Sequence, residues 1–228
     1  MTTALRVAIE GEATPDQTAE IAELLPCGDI DRLEWRPRNQ WDLSFEPDEL
    51  AHLELSMWQA YYRNQPAKLF SLLVLTLNKQ AHVSRPRATL AAMWLTKGAV
   101  RFARMKDNYE RVLPDIIKAY RVLKAPAGMD LTAIAAAELR WWVVRRDLGL
   151  SSGEAAGEAI ARLYSVIYGV PFERVAEAGR LRGLAAEVRD RGAEDDPDGP
   201  GGAGSAYWPR VAQLLRDSYR SLDEAVAK

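Results

Sequence analysis

The sequence predicts an all-α protein: about eight main helices in two similar four-helix units, preceded by a small N-terminal arm of α/β or irregular character. Three observations predict it. From Pro47 onward apolar residues recur at helical spacing, with proline in the opening turns. Segments of the first half recur in the second in the same order. The first 46 residues share neither property.

In the arm, Leu5–Ile9 alternates like a short strand, Pro15–Leu25 reads as a short helix, and Leu33–Phe45 carries Trp35, Trp41 and Phe45 with little periodicity. One such unit buries too little to fold by itself, so residues 1–46 are expected to dock through these aromatic side chains. Pro47-Asp-Glu then opens a helix with proline and acids at its N-terminal end, where the dipole favours them. That helix is expected to reach about Arg63. The others are expected over residues 65–81, 85–106, 109–124, 130–148, 152–168, 171–191 and 206–226. Ser84, Asp130, Ser151 and Ser205 are candidate N-caps, and Pro114 delays or kinks its helix.

The repeat is read from offsets. Glu54-Leu-Ser-Met-Trp58 aligns with Glu138-Leu-Arg-Trp-Trp142, 84 residues on, and Pro86 and Gly98 align with Pro171 and Gly183, 85 on. Tyr109-Glu-Arg-Val112 and Tyr120-Arg-Val-Leu123 align with Trp208-Pro-Arg-Val211 and Tyr219-Arg-Ser-Leu222, 99 on. The step between offsets falls on the Gly/Pro/Asp-rich stretch Asp195–Ser205, a loop expected over 193–206. The expected units are therefore 47–124 and 130–226, products of a duplication.

Winding the first helix at about 100° per residue gathers Leu50, Met57, Trp58 and Tyr61 on one face, with Glu54 among them. On the fifth, Glu138 and Arg145 fall beside Leu131, Ile134, Ala135 and Trp142. Two carboxylates thus point inward, where an unpaired charge needs a partner. A pseudo-twofold axis would set Glu54 near Arg145 and Glu138 near Tyr61, with Trp58, Trp141 and Trp142 around them. These seven residues are the expected site. They are expected to bind, or bind and convert, a small molecule in an aromatic cavity between the repeats. A purely structural ion pair fixing helix registry is the competing reading.

Composition bounds the rest. The chain has 228 residues, 48% of them hydrophobic, enough for a sizeable core. Its single cysteine, Cys27, and two histidines leave no disulfide framework or Cys-based zinc cluster, so a cytoplasmic, reducing setting is expected and no metal site. Neither Glu54 nor Glu138 has a histidine three residues on, as a di-iron bundle would need. The longest apolar run, Leu69–Leu77, is far below the roughly 20 residues of a membrane span, and the N-terminus does not read as a secretion signal. No cofactor motif is recognised: Gly201-Gly-Ala-Gly lies in an acidic stretch that repels phosphate.

Charge is unevenly spread. Residues 83–124 hold ten Lys and Arg against three acids, whereas residues 1–54 hold four Arg against thirteen acids. A stripe of Lys97, Arg101 and Arg104 beside Trp94 has the residue types of a phosphate-binding surface, but a pI of about 5.8 argues against a dedicated nucleic-acid binder. The acidic arm lying against the basic helices is the simpler expectation. This motivates the alternative function: a non-catalytic helical adaptor or assembly component, engaging a protein partner or a second copy through residues 1–46 and the basic surface.

Overall fold

The computed structural model describes residues 44–123, 129–149, 153–194 and 205–227. Among these there are eight α-helices and no strand: α1 (Pro47–Tyr62), α2 (Pro66–Gln80), α3 (Arg85–Arg104), α4 (Leu113–Val122), α5 (Leu131–Leu148), α6 (Gly153–Tyr168), α7 (Phe172–Glu194) and α8 (Trp208–Val226), with a short 3-10 turn, Tyr109–Val112, leading into α4. No helix is long and apolar enough to cross a membrane. The expected strand, short helix and aromatic residues Trp35 and Trp41 of the arm lie outside the described residues, as do Cys27, Ser151 and most of the expected loop.

Proline opens α1, α2, α3, α4 and α8, where its missing N–H costs nothing. Pro114 therefore starts its helix late, after the 3-10 turn, instead of kinking it. Asp130 caps α5 by accepting from the N–H groups of Thr132 and Ala133, each at 3.0 Å. Ser84 precedes α3 without a side-chain cap bond. The last helix begins at Trp208, two residues later than expected.

Each helix packs on its neighbour in sequence, and α8 returns to pack on α1. One continuous core results, to which every helix contributes, from Leu50 and Leu77 through Ile116, Ile134 and Ile160 to Leu214. Phe45 closes it ahead of α1, its ring 6.2 Å from Tyr168 and 6.0 Å from Tyr219. The tightest contact is between α6 and α7. A Cβ on Gly157 would come within 2.9 Å of the Gly179 carbonyl, and one on Gly183 would overlap the backbone of Gly153 and Gly157. Glycine at these positions lets two backbones approach where a side chain would hold them apart. Arg182 sits beside this seam, on the side facing α1 and α8.

Candidate functional site

Glu54, in the second turn of α1, is 2% exposed. Its Oε1 accepts from Nε and Nη2 of Arg182 on α7, both at 2.6 Å, and its Oε2 accepts from the Tyr219 hydroxyl on α8 at 2.7 Å. Both carboxylate oxygens thus meet donors, one of them a cation, the condition under which a buried charge is tolerable. Burial opposes the Arg182 charge, but Glu54 outweighs it and holds the guanidinium pKa above its ordinary value. Burial, reinforced by the Glu54 charge, pushes the Tyr219 hydroxyl well above the usual tyrosine range.

Glu138, in the second turn of α5, is only partly buried. Its Oε1 accepts from the indole N–H groups of Trp141 and Trp142, each at 3.1 Å, and its Oε2 from the Tyr120 hydroxyl on α4 at 2.9 Å. Residues three and four positions on lie over the next helical turn, so one helix supplies both indoles from its own face. Among the described residues no Lys or Arg forms an ion pair with Glu138. Tyr120 is raised well above the ordinary range, first by burial and then by the Glu138 charge.

The two sets touch through one cation–aromatic contact, in which the Arg182 guanidinium lies 5.2 Å from the Trp141 ring centroid. The chain of contacts runs Tyr219, Glu54, Arg182, Trp141, Glu138, Tyr120. Tyr164 of α6 lies alongside, buried, its hydroxyl pushed up to about 12 chiefly by burial. Tyr164 and Tyr168 meet edge to face, 6.3 Å apart.

The expected pairings are corrected by this geometry. Glu54 meets Arg182, not Arg145, and Glu138 meets Tyr120 and two indoles, not Tyr61. Arg145 instead donates to Asp190 of α7 at 2.7 Å. Tyr61 is 64% exposed, its ring edge-on to Tyr62 at 5.0 Å. A helical wheel gives the angle of a side chain but not where along the axis its cover ends, and at the last turn of α1 the apolar stripe outruns it. The physical reason for the exchange is that α1 packs mainly on α2 and α8, and α5 on α4 and α6, so the two do not face each other. Trp58 is partly buried against the core, without joining either hydrogen-bond set.

Three residues that carry this site were missed or underused. Tyr120 and Tyr219 were recognised as equivalent without partners being assigned. Arg182 has a signal in the sequence only through the 85-residue offset, which aligns it with the basic Lys97. Two further buried acids escaped notice. Asp190 draws Arg145 and also Arg189, whose guanidinium lies 3.1 Å from the Tyr62 ring centroid. Asp115, 2% exposed, draws Lys97 at 3.2 Å and Arg101 at 2.6 Å. The basic stripe is therefore partly occupied from within, with Trp94 held between the ammonium groups of Lys97 and Lys118. Among the described residues no group of three or more His, Cys, Asp or Glu is placed to hold a metal ion. Comparison with protein-family models, curated proteins and solved structures finds no match for this chain.

Proposed function

We propose that the protein binds a small molecule bearing a cationic or hydrogen-donating group, and that Glu138 receives it, framed by Trp141, Trp142 and Tyr120. The observation that carries this reading is the unequal provision of the two carboxylates. Glu54 has an arginine; Glu138, more open to solvent, has three neutral donors and no ion-pair partner among the described residues. Neutral N–H and O–H donors orient a carboxylate without cancelling its charge, which leaves it able to attract an ammonium or amidinium group. Indole faces nearby favour the same class of ligand.

The reading extends to ancestry. Glu54 and Glu138 are equivalent under the 84-residue offset and Tyr120 and Tyr219 under the 99-residue offset. Each tyrosine donates to the glutamate of the other half, which supports a duplication whose halves, 47–124 and 130–226, exchange their last helices around a pseudo-twofold axis. Diversion of the equivalent cation, Lys97, to Asp115 is how such a duplication would yield one binding carboxylate and one strut.

The test is titration of the full chain with tetramethylammonium, a linear diamine and a guanidinium compound, following the indole N–H resonances of Trp141 and Trp142. Saturable shifts with one of these, abolished in Glu138→Gln, are expected. Indole resonances indifferent to all three, or shifts that persist in Glu138→Gln, would remove the proposal. The second reading, a helical adaptor, draws on one observation: Leu90, Met93 and Val100 of α3 are all exposed. Light scattering of the full chain tests its self-association form, which requires a mass above that of the monomer.

A further inference from the structure

The outer face of α3 is unusual for a surface helix. Leu90, Met93 and Val100 are 45%, 55% and 46% exposed, and at about 100° per residue they share one face with Lys97, Arg101 and Arg104. The opposite face, Ala88, Ala91, Ala92, Gly98 and Phe102, is buried in the core. The helix carries five Lys and Arg and no acid. A mixed apolar and cationic strip of this kind suits an amphipathic acidic segment, whose apolar side chains remove Leu90, Met93 and Val100 from water while its carboxylates meet the basic ones.

We propose that the acidic stretch of this same chain between Arg6 and Arg32 docks along that face. Those intervening residues contain seven Asp or Glu and no Lys or Arg, with Ile21, Leu24 and Leu25 among them. The point of departure is suitable. Ser44 is held at the α2–α3 turn, its carbonyl oxygen 2.5 Å from Nε2 of His82, and α3 begins three residues after that histidine. Between residue 31 and Ser44 lie enough residues to span about 40 Å when extended, against about 30 Å for the length of α3. Lys97 and Arg101, though bonded to Asp115, keep 54% and 43% of their side chains exposed and remain reachable from outside. Attachment through the chain itself raises the local concentration of the segment, so weak contacts suffice.

The lone Cys27 lies inside the docking stretch and serves as the probe. A nitroxide is attached to it in the isotopically labelled full chain, and methyl resonances of α3 are compared before and after reduction of the label. Selective broadening of Leu90, Met93 and Val100 is expected, with Leu148, exposed on α5, unaffected. The broadening should diminish as salt rises, and should be lost in Arg104→Glu and in the exposed double variant Met93→Glu, Val100→Glu, whose helix content is checked by circular dichroism. If a variant loses helix, the salt series on the unaltered chain decides alone. Absence of broadening on α3, or its indifference to salt and to substitution, overturns the proposal. So does equally strong broadening in a mixture of nitroxide-bearing unlabelled chains with label-free isotopic chains, which would make a second copy the occupant.

Discussion

Glu54 and Glu138 each lie in the second turn of their helix, α1 or α5, and each accepts a hydrogen bond from a tyrosine on another helix, α8 or α4, and yet the two are held by different chemistry. Glu54 is closed off and joined to a guanidinium. Glu138 is partly open and joined to two indoles and a phenol. Arg182 stands on α7 beside the close glycine seam with α6 and reaches Glu54 on α1. Its counterpart Lys97 stands on α3, where Gly98 meets no such close backbone and Asp115 claims the ammonium. Of these two aligned cations, Arg182 is a core strut and Lys97 a half-exposed partner of Asp115.

What the two sites share is best broken by alkali. Tyr120, Tyr164, Tyr168 and Tyr219 all have raised pKa values, mainly through burial. Their stabilising contribution is complete below the unfolded value near 10 and falls as pH rises toward the folded values. Above pH 10 each resisting tyrosine costs about 1.4 kcal/mol per pH unit until its folded pKa is reached. Absorbance titration is expected to show these four ionising late, together with unfolding. Four tyrosines titrating near 10 in a folded chain would contradict the burial.

The next largest effect separates the sites. Arg182→Met leaves Glu54 buried without a cation and should cost about 3–5 kcal/mol in denaturant unfolding. A loss under about 1 kcal/mol would mean that Glu54 is not committed to the pair. Tyr219→Phe should cost about 1.5–3 kcal/mol, because it strips a donor from a fully enclosed carboxylate. Tyr120→Phe should cost less, about 1 kcal/mol, since Glu138 retains two indoles and access to water. The reverse order would erase the contrast. Smallest is Glu138→Gln, expected to change stability by about 1 kcal/mol or less while abolishing any response of the indoles to ammonium compounds.

Helix number, most helix ends and the inward direction of Glu54 were legible because apolar periodicity and proline placement are local properties of the chain. Partners were not. Periodicity reports the angle of Glu54 on α1, whereas Arg182 lies 128 residues away and Tyr219 165. Only the repeat carries information over that distance, and it contained the answer in the paired tyrosines and in the alignment of Lys97 with Arg182. Tyr61 failed for the opposite reason: its angle was right, but exposure depends on where neighbouring helices stop. Asp190 was invisible because it sits between Arg189 and Arg191, in a context that reads as surface, and Asp115 because an acid in an opening turn reads as serving the helix dipole.

The return of α8 onto α1 makes the protein a closed circuit whose clasp joins nearly the two extremes of the described chain. Tyr219 and Glu54 are 165 residues apart, so the clasp is among the least local contacts of the core and among the costliest in loop entropy to form directly. Opening the circuit there would part α8 from α1 while α8 stays packed on α7 and the pairings of α2 through α7 persist. The clasp is thus the natural place for such a molecule to come apart reversibly.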